Sequence, residues 1–202
     1  MNASHTVLRT GRTVSELLVA TEATPALLEA VEAAPDPPAL LTSLLEAGAF
    51  PAAVAFLAHA LPRREAVWWA WLCAREAAGD SPAPEVTAIL EATHAWIAEP
   101  HDARGRAAFE RAEAAGVGTP WGLAALAVFF SGSSVSPETV QPVPPGPYDA
   151  AKAVAGAVAL AAAEARPDDA AGALRDFVEK GMAVADRTNL WTPEPPAGRG
   201  RP

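Results

Sequence analysis

The chain has one cysteine, Cys73, one tyrosine and two lysines, Lys152 and Lys180, in 202 residues. A lone cysteine excludes an internal disulfide framework. Set in an apolar helical run, Cys73 fits a reducing compartment and reads as a small buried hydrophobe rather than a nucleophile. Positive charge is scarce as well: the formal net charge is −9 and the pI about 4.9. That balance opposes binding to DNA, RNA or anionic lipid, because affinity for such polyanions rests on neutralised phosphates. Long apolar runs are missing: residues 121–130 are too few to cross a bilayer core of about 30 Å, and residues 150–163 are mostly alanine and carry Lys152. Residues 1–12 mix Asn, Ser, His, Thr and Arg around no apolar centre, so no secretory signal is expected there. These absences predict a cytoplasmic protein with neither a nucleic-acid nor a membrane partner. The preference for arginine over lysine and the alanine excess resemble the codon bias of a GC-rich genome.

Half of the residues are apolar and about a quarter of the chain is alanine. Alanine is the best helix former because it loses no side-chain entropy, but its methyl group buries little area. Cohesion must then come from close helix approach and from the six Trp and six Phe. Apolar residues recur at three- and four-residue steps, as in Val86, Ile89, Leu90, Thr93, Trp96 and Ile97, and breakers such as Pro35-Asp36-Pro37-Pro38 and Gly116-Val117-Gly118-Thr119-Pro120 separate the segments. No strand pattern and no repeat period is present. The expected fold is all-α, an irregular multi-helix bundle or short α-superhelix of about eight to nine helices. One domain is expected over residues 13–190, with flexible tails at 1–12 and 191–202. Residues 131–147, rich in Ser, Gly and Pro, are expected to wrap the surface as the main internal linker.

The most informative segment is the Trp-rich helix at 62–78. Helical spacing puts Arg64, Trp68, Trp71 and Arg75 on one stripe and Glu65, Trp69, Leu72 and Glu76 on the next. Being apolar nearly all round between charged ends, it is expected at the centre of the bundle. Arg64 and Glu65 would then be buried and in need of partners, with Lys152 the candidate for Glu65. Two interpretations compete for Arg64, Glu65, Trp68, Trp69, Arg75 and Lys152. In the first they form structural ion pairs and cation–π contacts; in the second they surround a Trp-walled ligand pocket.

Other motifs are weak. Glu91-Ala92-Thr93-His94 matches one Glu-x-x-His unit of di-iron bundles, but no second unit accompanies it. There is no Gly-x-Ser-x-Gly, phosphate loop or zinc spacing. No catalytic residue, metal or cofactor is therefore expected.

Leu61-Pro62-x-Arg64-Glu65-Ala66-Val67-Trp68-Trp69-Ala70 with Cys73-Ala74-Arg75, then Gly118-Thr119-Pro120, the Pro-rich loop before Tyr148, and Ala151-Lys152-Ala153-Val154-Ala155-Gly156-Ala157-Val158 resemble an uncharacterised bacterial family, a domain of unknown function. The resemblance spans about Val14 to Val184, with Trp71 departing from the pattern. It implies no established activity; members resemble accessory proteins encoded near contractile, type VI secretion genes. Two functions follow as expectations. One is a non-enzymatic helical interaction protein, an adaptor, chaperone or assembly factor with a protein partner. The other is a small-ligand-binding protein or enzyme using Arg64, Glu65, Arg75 and Lys152.

Overall fold

In the computed structural model, which describes residues 3–137 and 139–192, the chain folds into helices joined by short breaks. In order these are α1 (Val14–Ala20), α2 (Pro25–Ala33), α3 (Pro37–Glu46), α4 (Phe50–Ala60), α5 (Arg63–Ala78), α6 (Pro84–Ala98), α7 (Asp102–Ala115), α8 (Pro120–Phe129), α9 (Asp149–Ala165) and α10 (Ala170–Arg187). The fold is all-α and multi-helical; the one β feature among the described residues is an isolated bridge between Val7 and Thr13.

Ten helices form among the described residues, and each short N-terminal helix has its own cap. Thr13 and Glu16 make a reciprocal capping box on α1: Thr13 Oγ1 accepts from the Glu16 amide at 3.2 Å, and Glu16 Oε2 accepts from the Thr13 amide at 2.7 Å. The bonds from Thr13 hold the Glu16 carboxyl below its ordinary pKa. Thr24 caps α2 and Asp36 caps α3, each followed by a first-turn proline whose missing N–H costs nothing there.

The expected tail at 1–12 is in fact folded over residues 3–12. Ala3 and Leu8 are buried, the Arg9 amide donates to the Leu190 carbonyl at 2.8 Å, and the Arg9 guanidinium donates to the Thr188 carbonyl at 2.6 Å. The segment thus closes over the end of α10. Of the expected C-terminal tail, Trp191 and Thr192 are described, and Trp191 Nε1 donates to Asp186 at 2.9 Å; residues 193–202 lie outside the described residues.

At the centre, α9 packs against α8, α5, α4 and α10. Its inward face, Val154, Ala157, Val158, Ala161 and Ala162, is almost wholly small, so neighbouring backbones come close. A β-carbon at Gly156 would stand 2.9 Å from Leu123 Cδ1 on α8. Helix α5 is central through one stripe only, Ala66, Val67, Ala70, Cys73 and Ala74, together with the fully buried Trp69. Residues 131–147 contain no helix or strand among those described, but they are pinned: the Val135 amide donates to Val143 at 2.8 Å, and Arg106 donates to the Ser134 and Ser136 carbonyls at 3.1 and 2.8 Å.

Candidate functional site

Each residue singled out from the sequence has a definite place, and together they do not form one site. Arg64 is exposed; its Nε donates to the Ile97 carbonyl at 2.6 Å, satisfying an orphan acceptor in the last turn of α6. Trp69 Nε1 donates to the Phe177 carbonyl at 2.7 Å, fastening α5 to α10. Trp68 is half-buried under the Arg187 guanidinium, 5.8 Å from its ring centre. Glu65 borders a shallow groove with Arg9, Thr10 and Thr188.

The expected pairing of Glu65 with Lys152 does not occur. Lys152 reaches Glu22 at 3.3 Å, and both side chains are mostly exposed. The reason is geometric: α9 turns Ala153, Val154, Ala157 and Val158 to the core, so Lys152 is left in water, where a charge needs no buried partner. Nor do Arg64, Arg75 and Lys152 share a pocket. Of the six candidates, Arg75 alone lines a wide cleft between α5 and α6.

That cleft has a volume of about 760 Å³ and lies between the second half of α5 and the first half of α6, with Lys180 of α10 at one side. Its aromatic floor is Trp71, whose Nε1 donates to the Leu90 carbonyl at 2.9 Å and so ties the two helices together. The His94 ring packs on Trp71 with centroids 4.8 Å apart, and the Arg75 guanidinium sits 5.9 Å from the Trp71 ring centre. Lys180 pairs with Glu76 and lies 4.8 Å from the Phe177 ring centre. Asp80 and Glu91 add negative charge to the wall. The cleft opens because α5 ends at Gly79, whose φ of 71° turns the chain away, and α6 begins only at Pro84.

Sequence patterning missed that Lys180, Glu76 and His94 line one cleft with Trp71 and Arg75. The one available signal was the Glu91/His94 spacing, which places both on one helix face and in fact puts both on the cleft wall. Among the described residues no group of three or more His, Cys, Asp or Glu is placed to hold a metal. Cys73 is fully buried, and burial pushes its thiol pKa far up, so it is not a nucleophile in the folded chain. No helix of the described residues is long and apolar enough to cross a membrane.

An all-α multi-helix domain with an open, aromatic-floored cleft is the class that fold and site define. Residues 40–185 match the family of unknown function DUF6931, and the chain belongs to that family. No curated protein and no solved structure matches it.

Proposed function

We propose that the chain is a non-catalytic interaction protein, an adaptor, chaperone or assembly factor, that seats a segment of a protein partner in the α5–α6 cleft. The observation that carries this is the cleft itself: about 760 Å³, open to solvent, with Trp71 and His94 as an aromatic face and charges of both signs on its walls. Aromatic and arginine side chains are the usual anchors of protein interfaces; the rings bury much area while losing little side-chain entropy, and the planar guanidinium adds directed hydrogen bonds. The Glu76–Lys180 pair neutralises two of the wall charges, leaving Arg75 against Asp80 and Glu91 to orient a polar segment. The resemblance to accessory proteins encoded near type VI secretion genes favours a component of such an assembly as the partner.

A photo-crosslinking amino acid at Thr87, inside the cleft, tests this against the same group at the exposed Glu110 on α7. The expected result is one polypeptide captured from the Thr87 position, absent from the Glu110 control, and reduced at least fivefold by Trp71→Phe with Arg75→Ala. Capture of the same set from both positions refutes the proposal. The cleft also lies in the size range of small-molecule sites, about 300–1,000 Å³. A soluble metabolite that protects Thr87 from crosslinking would favour that second reading.

A further inference from the structure

At the opposite end of α5 lies a second, smaller cavity of about 130 Å³, where residues 10–12, the end of α4, the start of α5 and the start of α9 meet. Three buried side-chain polar atoms among the described residues have no hydrogen-bond partner, and two of them, Thr10 Oγ1 and His59 Nε2, belong to residues lining this cavity. His59 is 4 % exposed, and its Nδ1 donates to the Ala55 carbonyl at 2.8 Å within α4. In the neutral ring, which burial favours, that bond puts the proton on Nδ1 and leaves a lone pair on Nε2, the polar atom that His59 can offer to the cavity. A buried acceptor without a donor is costly enough to require an explanation.

Two arginines, Arg12 and Arg63, also line the cavity. Arg12 spends one N–H on the His59 carbonyl at 3.1 Å and keeps others, and Arg63 has no ion pair among the described residues. The first backbone bond of α5 runs from Ala66 to Pro62 at 2.9 Å, and no side chain caps the amides before it. Pro62, Arg63 and Ala66 bring this uncapped end to the cavity, and a helix N-terminus favours anions. Burial holds the His59 pKa below its ordinary value, and the two charges acting on it, Arg12 and Lys152, are both positive and push the same way.

We propose that this cavity binds a small oxyanion that keeps a hydroxyl, of the size and chemistry of monohydrogen phosphate. Its bare oxygens accept from Arg12, Arg63 and the start of α5, and its hydroxyl donates to Nε2 of neutral His59. Thr10 can donate or accept, completing the shell. The volume agrees: an apolar cavity of about 150 Å³ holds a six-carbon ring, so about 130 Å³ suits five non-hydrogen atoms. Sulfate, equal in size and charge, has no proton to give and would set lone pair against lone pair.

The test is a nitrogen-15 NMR titration of the full chain, histidine-labelled, at a pH above the histidine range, with inorganic phosphate and with sulfate at matched ionic strength. The expected result is a saturable shift of the His59 Nε2 signal by phosphate, at an affinity at least tenfold above that for sulfate. His59→Phe should abolish that preference. Because His59→Phe could unfold the chain, Arg63→Gln serves as the second variant: it is exposed, and its loss should weaken phosphate at least threefold. A signal unmoved by phosphate at tens of millimolar would mean that water alone completes the cavity, and would overturn the proposal. So would equal shifts by the two anions, or an Arg63→Gln titration identical to the parent.

Discussion

Three glycines inside helices, Gly105, Gly156 and Gly181, should respond to alanine with different signs. On helix propensity alone each substitution gains about 1 kcal/mol. What a new methyl group meets differs sharply. At Gly181 on α10 the β-carbon would stand 2.5 Å from Leu57 Cδ2 and 2.7 Å from Trp69 Cε2, and both side chains are fully buried. Trp69 cannot swing aside without losing its 2.7 Å bond to the Phe177 carbonyl, one turn back on the same helix. Overpacking of this kind costs about 1–3 kcal/mol, at the upper end where two fixed groups are struck. Gly181→Ala should therefore lose about 1–2 kcal/mol net, or about 2–8 °C in Tm at about 2–4 °C per kcal/mol for a chain of this size. At Gly105 the nearest atoms, on Val128 and Trp96, lie at 3.6–3.8 Å, ordinary contact distances. Gly105→Ala should gain about 1 kcal/mol and 2–4 °C. Gly156 meets only the end of the half-buried Leu123 side chain, at 2.9 Å, which can turn away. Its substitution should fall within about 0.5 kcal/mol of neutral. Thermal and urea unfolding of the three variants measures all of this. A uniform rise across the set, or a Gly181→Ala protein as stable as the parent, would refute the close α5–α10 approach on which the core description rests.

Cys73 should be inert to alkylating reagents in the native chain and react only after unfolding, at least a hundredfold faster in denaturant; appreciable native labelling would contradict its burial. His59 has a folded pKa below its unfolded value of about 6.5, so as pH falls from 7 the unfolded chain takes up a proton first and stability declines. His59→Gln should flatten that part of the Tm–pH curve between pH 7 and 5, and an unchanged slope would place the sensitivity elsewhere. Arg106→Ala should loosen the 134–136 part of the 131–147 segment, which Asp102 still ties to α7 through Ser133, and speed its proteolytic cleavage at least threefold, since two of its carbonyls lose their donor.

Helix positions were readable because Thr13, Thr24, Asp36 and Thr119 are cap residues next to proline or glutamate, and such signals act within four residues. The faces of α5 were harder. Helical spacing shows which residues share a stripe, but both stripes carry tryptophan, and what sends Trp69 inward is Gly181 with the Phe177 carbonyl, more than a hundred residues away. The Glu65–Lys152 expectation failed for the same reason: it named a partner across the chain where only relative orientation could decide. Segment 3–12 looked like a tail because it is mostly polar, yet its burial rests on Leu8 and on the backbone bond from Arg9 to Leu190, which composition does not encode.

These placements divide the Trp-rich motif into parts with different work. Arg64 closes the end of α6 and Trp69 locks α10, so the middle and one edge of the motif serve architecture. Trp71 and Arg75 face the cleft, while Pro62 and Arg63 face the small cavity, so the two ends of one buried helix each border a separate opening. Every residue lining the cleft lies within 40–185, the span shared with the family, whereas Thr10 and Arg12 of the small cavity lie outside it. Damage to Trp69 should then disturb both openings at once by loosening α5 from α10. Changes at Trp71 or at Arg63 should each disturb one opening and spare the other. The cleft is thus lined wholly from the span shared with the family, and the small cavity also draws on the N-terminal segment that this chain folds across it.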